Sequence, residues 1–255
     1  MQTDLSRSLS VFADGEPVKG FNRAWLTGSD SIGLYPMPFV LRLWSLSDEA
    51  YYSLSAAKEI SVAHEESVLA AGTITDCCRR AVPEGTVTEI VFSAVIRLWE
   101  APVSLTVEAG VPVSETVKRI LSASGTGLSL LSFPGEDPVR FRGQAFCGRA
   151  AECVENALSA ASARCCLAPA GLCVIPSSGL PVSMELSEED LLDLPVPVGS
   201  GLLLLRTRVT GWPLGKMVSV RWREQSATGL VRERSVDADN TEGKWQAELL
   251  MEVKQ

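Results

Sequence analysis

The sequence predicts an α+β chain that is mainly β, with antiparallel strand-rich regions at both ends and a helical α/β insert between them. Three observations predict it. Apolar and polar residues alternate with period two in residues 58–99 and again in 202–253. Tight-turn signals separate those runs. After Gly110 the pattern changes to helix-spaced apolar and small residues. Hydrophobic residues are 46% and charged residues 21% of the 255, a globular balance in a chain long enough to bury a core.

Residues 1–46 read as largely extended. Leu9-Ser10-Val11-Phe12 leads into Ala13-Asp14-Gly15-Glu16, whose Asp-Gly step signals a tight turn. Pro36 and Pro38 bracket a break before a strand over 39–44, and a short helix follows over 47–54. Ser47 is placed to cap that helix, with Asp48 and Glu49 at the positive end of its dipole. In the next region Ile60 and Val62 alternate with polar neighbours, 68–75 reads as a strand containing Gly72, and 86–98 is rich in β-branched residues. Pro83-Glu84-Gly85 supplies the turn between the last two. A glycine inside a strand marks a bulge or a close backbone approach.

In the insert, Ser114 is expected to cap a helix with Val117, Ile120 and Leu121 on its apolar face and Gly125 at its end. A second helix is expected over 144–164, carrying Phe146, Ala150, Cys153, Ala157 and Ala160 at spacings of four and three. A short strand over 172–175 stops at Pro176. Ser187-Glu188-Glu189-Asp190 reads as a helix start, and the Pro- and Gly-rich stretch 194–201 as a linker. Three alternating runs follow: Leu203, Leu205, Thr207 and Val209; Val218, Val220 and Trp222; and Trp245, Ala247, Leu249, Met251 and Val253. Their single apolar faces argue for an antiparallel sheet or barrel. The expected domains are 1–108, 109–193 and 194–255.

The residue inventory excludes several chemistries. A net charge of −8, from 31 acidic and 23 basic residues, argues against a nucleic-acid binder, which needs a basic face. Arg206/Arg208 and Arg221/Arg223 read as solvated strand faces. No apolar run approaches the roughly 18 residues of a membrane span, and Met1-Gln2-Thr3-Asp4 does not begin a secretory signal. A soluble protein made in the cytoplasm is expected. The seven cysteines include the adjacent pairs Cys77-Cys78 and Cys165-Cys166 but no metal-ligand spacing, so small buried thiols are expected. The single histidine, His64, lies beside Glu65 and Glu66 and reads as exposed and loosely paired. Gly211-Trp212-Pro213-Leu214-Gly215-Lys216 reads as a turn, because Met217 stands where a phosphate loop needs Ser or Thr.

Carboxylates cluster at Glu188, Glu189, Asp190 and Asp193, and at Asp237 and Asp239. The first group suits a helix start and the second an acidic loop over 237–243 between two strands; the latter lacks the calcium-loop pattern. No catalytic, cofactor-binding or metal-ligating residue is expected, and the chain is expected not to be an enzyme. The runner-up is a tail-associated cell-wall hydrolase, which needs two of these acids facing each other in a cleft. A third class, a monomeric small-molecule or peptide-binding β-domain, predicts a deep apolar pocket.

The order of elements resembles the baseplate hub family of phage tails, proteins related to late-control D and to the type VI spike base. Four stretches carry the resemblance. Leu41-Arg42-Leu43-Trp44-Ser45-Leu46-Ser47 is similar to the family's passage from strand to helix, and Val68-Leu69-Ala70-Ala71-Gly72-Thr73-Ile74 to its apolar strand with an embedded glycine. Trp212-Pro213-Leu214-Gly215-Lys216-Met217-Val218-Ser219-Val220 resembles its turn-and-strand segment. Gly229-Leu230-Val231 through Gly243-Lys244-Trp245 resembles its closing hairpin.

The resemblance implies antiparallel β-barrel domains at both ends and a homotrimer whose barrels join edge to edge into a ring continuing the tail tube. It further implies a structural virion protein of the baseplate, assembled in the host cytoplasm, that anchors the tail tip beside other baseplate or spike proteins. DNA would pass through an acidic lumen without specific binding. A chain ending soon after Val253 is expected to carry no additional lysozyme or spike domain.

Overall fold

The computed structural model describes residues 7–253 except 170, 178, 210 and 212. Met1 to Asp4 and Trp212, singled out above, therefore lie outside the described residues. The chain opens with β1 (Ser10–Ala13) and β2 (Glu16–Pro17), joined by the expected Asp14-Gly15 turn with both residues at positive φ. β3 (Arg23–Ser31) and β4 (Phe39–Trp44) follow, then α1 (Asp48–Ala56). Ser47 caps α1 as its sequence suggests, its Oγ accepting from the Ala50 N–H at 3.2 Å.

Next come β5 (Glu59–His64), β6 (Ser67–Val82) and β7 (Gly85–Ser93). Gly72 meets the backbone of Ser93 at close range. A Cβ there would stand 2.4 Å from the Ser93 carbonyl carbon and 2.5 Å from its oxygen, contacts that backbone atoms cannot relieve by rotating away. Gly72→Ala is therefore expected to destabilise by about 1–3 kcal/mol, the usual cost of overpacking, read as a lower urea midpoint.

The middle of the chain departs from what its local patterns predict. The strand expected over 86–98 stops at Ser93, and α2 (Ile96–Glu100) takes its end. Val95, Leu98 and Trp99, at helical spacing, turn inward onto the core that also holds Val117, Ile120 and Val154. β8 (Pro102–Val107) leads to α3 (Val113–Ser124), which ends at Gly125 in the left-handed conformation, as expected. Its N-cap is Pro112 rather than Ser114. The carboxylate of Asp137 does the capping from outside, accepting from the Ser114 N–H at 2.9 Å and its hydroxyl at 2.6 Å.

After β9 (Leu130–Ser132), the single helix expected over 144–164 is three elements: β10 (Gln144–Arg149), α4 (Ala150–Ser159) and β11 (Arg164–Ala168). β10 pairs antiparallel with β8, Phe146 opposite Leu105, and that ladder overrides the helical spacing of Phe146. The small residues Ala150, Ala151, Ala157 and Cys153 still serve close packing, being buried on α4. β12 (Gly171–Ile175) completes a three-stranded sheet with β11 and β9.

β13 (Val182–Leu186) pairs in parallel with β16 (Met217–Trp222). Ser187 starts only one turn of 3-10 helix over Glu188–Asp190. The stretch read as a linker holds β14 (Val196–Gly199), which pairs with β15 (Leu202–Arg208). The turn before β16 is hydrogen-bonded from Lys216 N–H to Pro213 O at 3.0 Å. Gly215 takes the positive φ that this turn demands at its third position. The chain closes with β17 (Gln225–Asp239) and β18 (Trp245–Val253). The three expected alternations hold: Leu203, Leu205 and Thr207, then Val218 and Val220, then Ala247, Leu249 and Met251 are buried.

The fold is mainly β and dominated by one large sheet of 13 strands, antiparallel apart from the β13–β16 pair. Its main path runs β14-β15-β18-β17-β3-β4-β7-β6-β5-β1-β2, with β16 and β13 branching from β17. β17 pairs with β16 over Gln225 to Leu230, with β18 over Gly229 to Ala238, and on its other side with β3 over Glu233 to Asp239. One core lies under the N-terminal strands around Leu26, Phe39, Leu41, Leu43, Ile90 and Phe92. A second gathers Leu205, Val218, Val220, Val231, Leu249 and Met251 from the C-terminal strands. A third core lies between α3, α4 and the strands beside them and takes in Leu34, Val95 and Leu98, and a small seam of Cys166, Ile175, Leu214, Met217 and Leu230 joins β11 and β12 to the C-terminal strands.

Candidate assembly surface

Five of the acidic residues singled out in the sequence, Glu188, Asp190, Asp193, Asp237 and Asp239, are engaged by donors of the fold. Glu188 Oε2 accepts from the Arg223 N–H at 2.8 Å, and Asp190 Oδ2 accepts from both the N–H and hydroxyl of Ser187 at 2.8 Å. Asp193 pairs with Arg206, which also holds Glu248. Asp237 and Asp239 belong to β17 rather than to a loop, a correction with a clear cause. Their partners sit on β3, to which the end of β17 is hydrogen-bonded: the Trp25 indole N–H donates to Asp237 at 2.8 Å, and Arg23 clamps Asp239 at 2.5 and 3.3 Å. Among the described residues, no three His, Cys, Asp or Glu side chains gather to hold a metal ion, and no helix is long and apolar enough to cross a membrane.

Burial pushes the Asp239 carboxyl up, but hydrogen bonds from Arg23 and Thr241 and the Arg23 charge outweigh it and hold the group below its ordinary range. The folded protein thus binds this proton less readily than the unfolded chain. The resulting stabilisation is complete above the ordinary carboxylate pKa and is lost as pH falls through the lowered value. Melting temperatures followed from about pH 6 to about pH 2 are expected to fall less steeply in Asp239→Asn than in the parent.

His64 is more enclosed than its acidic neighbours suggested. Its Nδ1 lies 2.8 Å from the Ser8 carbonyl and its ring meets Trp245 edge-on at 5.0 Å. The cysteines are only partly as expected: Cys153, Cys165 and Cys166 are buried, Cys77, Cys78 and Cys173 half-buried, and Cys147 exposed. Burial pushes the Cys166 thiol up to about 12 and that of Cys165 higher still, which keeps both unreactive.

The residues that join the N- and C-terminal strands escaped the sequence reading. Arg234, fully buried on β17, donates from Nε and Nη2 to Asp30 of β3 at 3.0 and 2.9 Å, and from Nη2 to the Leu69 carbonyl of β6 at 2.7 Å. Burial pushes the Asp30 carboxyl up against the opposing pull of this guanidinium. A signal was present: Arg234 shares its alternation phase with buried Val236 and Ala238, so a charge occupies an apolar position. Outside this joint a ladder crosses the sheet. Arg42 lies over the Trp25 ring at 4.8 Å and binds Glu89, which also pairs with Arg80.

The ends of the large sheet leave strand edges and apolar side chains exposed. The main sheet path ends at β14 and at the two-residue β2. Pro17 lies in β2, Pro197 in β14 and Pro195 just before it, and a proline denies an incoming strand its N–H donor. Along the β14 edge, Leu192, Leu194, Val196 and Val198 occupy every second place and are 44, 45, 51 and 49% exposed. Val196 stands opposite Leu204, and Leu204 opposite Leu250, which places these three side chains on the face opposite buried Leu203 and Leu205.

No protein-family model matches the sequence, and no curated protein matches it. Solved structures do match in fold. A tail protein from Neisseria meningitidis MC58 superposes with a TM-score of 0.69 at 12% identity, covering 95% of both chains. The 43 kDa tail protein of prophage MuSo2 from Shewanella oneidensis gives 0.68 at 9% identity, again over 95% of both. The fold is that of phage tail proteins. The same tail-protein fold recurs in an E. coli component of the type VI secretion system, itself described as structurally similar to the T4 bacteriophage tail proteins gp27 and gp5. That match has a TM-score of 0.69 at 12% identity and covers 96% of this chain and 77% of the other.

Proposed function

We propose that this chain is a structural protein of a phage-type tail, a baseplate hub, without catalytic activity of its own. The observation that carries the reading is the fold likeness over 95% of both chains to tail proteins from two bacteria. In this reading the strand-rich ends, 1–108 and 194–255, are two barrels flanking the insert 109–193. Three copies set them into a ring that continues the tail tube and anchors the tip beside other baseplate or spike proteins. A net charge of −8 suits a lumen through which DNA moves without adhering. Such a protein works by holding shape, and the geometry supports that role: Glu188, Asp190, Asp193, Asp237 and Asp239, five of the acids a hydrolase could draw on, are bound to Arg223, Ser187, Arg206, Trp25 and Arg23 as parts of the framework.

The test is location. Gold-labelled antibody against the chain should mark the tail tip of intact particles in electron micrographs, and particles made without it should lack a baseplate. Label on the capsid, or tails that are complete without the chain, would overturn the reading.

A further inference from the structure

We infer that the cleft between β12 and the closing strands binds an acidic, otherwise apolar peptide segment of another protein, with Arg164 and Arg232 holding its carboxylate. The inference stands on the cleft alone and does not rest on the hub reading.

The cleft has a volume of about 270 Å³, with Ile175, Met217, Leu230 and Val253 in its lining and Arg164 and Glu252 beside them. That is just short of the roughly 300–1,000 Å³ of small-ligand pockets, and it suits the side chains of a short peptide. The aliphatic wall includes a methionine, whose unbranched thioether side chain adapts to what it meets.

Two guanidinium groups converge here on a single carboxylate oxygen. Arg164 Nη1 donates to Glu252 Oε2 at 3.1 Å, and Arg232 Nε lies 3.7 Å from the same atom. The side chains of Arg164, Arg232 and Glu252 are 46, 42 and 42% exposed, so the group is open to a ligand. Among the described residues, neither arginine side chain makes another hydrogen bond, although a guanidinium carries several N–H donors in a fixed fork. The group therefore holds one cation more than it has carboxylate, in the donor geometry that a second carboxylate fits. Glu155, which lines a neighbouring cleft with Arg164, turns its Oε1 to the Leu34 N–H at 3.0 Å.

The backbone is shaped to bring Arg232 to this place. β17 shifts register against β18 between Val231 and Glu233, which leaves Arg232 without a partner residue on β18. The Ile32 N–H fixes this bulge by donating to the Arg232 carbonyl at 2.7 Å. Bulges re-aim side chains and are common beside functional sites.

Charge and wall together select the occupant. A net charge of −8 repels a polyanion, and the described lining has no aromatic ring on which a nucleic-acid base would stack. One carboxylate on an aliphatic segment meets both the surplus cation and the apolar wall. In the free protein Glu252 occupies the donors that the ligand needs and so acts as an internal competitor.

The test uses the purified full chain and a fluorescent peptide with one glutamate among leucines and valines, compared by polarisation with the same peptide carrying glutamine. The glutamate peptide is expected to bind about tenfold or more tighter, the scale of charge-assisted hydrogen bonds to a guanidinium. Arg164→Gln/Arg232→Gln should abolish that preference while leaving binding of the glutamine peptide in place. Glu252→Gln should tighten binding of the glutamate peptide several-fold, a gain that a merely structural Glu252 would not give. Equal affinity for the two peptides, no binding of either, or a preference that survives the double variant would overturn the site. A single-stranded oligonucleotide that displaces the peptide at lower concentration would overturn the peptide as occupant. Circular dichroism with a melting curve establishes that each variant is folded. Should the double variant fail to fold, Glu252→Gln decides: unchanged or weaker binding of the glutamate peptide would overturn the inference.

Discussion

Arg234→Ala is expected to cost about 3–5 kcal/mol, the range for breaking a buried ion pair by removing one partner. The substitution leaves the Asp30 carboxylate inside the protein with nothing to balance its charge, and the Leu69 carbonyl without its 2.7 Å donor. Because Arg234 reaches β3 and β6 from β17, the loss falls on the joint between the two ends of the chain. Urea unfolding should show a lower midpoint with an unchanged slope if the unfolded state is unaffected. Replacing the pair by apolar residues, Asp30→Leu with Arg234→Met, should recover much of the loss, since a well-packed apolar pair can match a buried ionic one. A single-variant loss below about 1 kcal/mol, the scale of an exposed pair, would contradict the account.

Phe39→Ala is expected to cost about 3–5 kcal/mol as a large-to-small change in a closed core. Phe39 and Phe92 are directly opposed on β4 and β7, their rings stacked at 5.6 Å, and both are buried. The Phe39 ring also lies 5.9 Å from the Arg234 guanidinium carbon. The two substitutions share an environment, so their costs should not add: a double-mutant cycle is expected to show about 0.5–3 kcal/mol of coupling. Additivity within experimental error would place the ring and the guanidinium in separate environments.

Local chemistry made part of this fold legible. The Asp14-Gly15 turn, the Ser47 cap, the Gly125 stop and the crowding at Gly72 follow from what single residues permit. The alternations after Leu202 follow from the two faces of a strand. Failures occurred where a distant partner overruled a local pattern. Residues 144–149 carry helical spacing yet form β10, because β8 offers them a ladder. Asp237 and Asp239 read as a polar loop because the groups that accommodate them in a strand, Trp25 and Arg23, lie over 200 positions away. The Pro-rich stretch at 194–201 looked like a linker for a related reason: prolines are tolerated in β14 because it is an outermost strand.

The pairing of β17 with β3 has a consequence for synthesis. Asp30 and Arg234 are 204 residues apart, so at ribosomal speeds β3 waits roughly 10–40 s for its neighbour to be made. During that interval the nascent chain presents β3 with one side unpaired and Leu26 beneath it incompletely covered. A product truncated before β17 would keep that unfinished edge permanently and be open to proteolysis or aggregation. An intact β3 edge therefore depends on translation having reached β17.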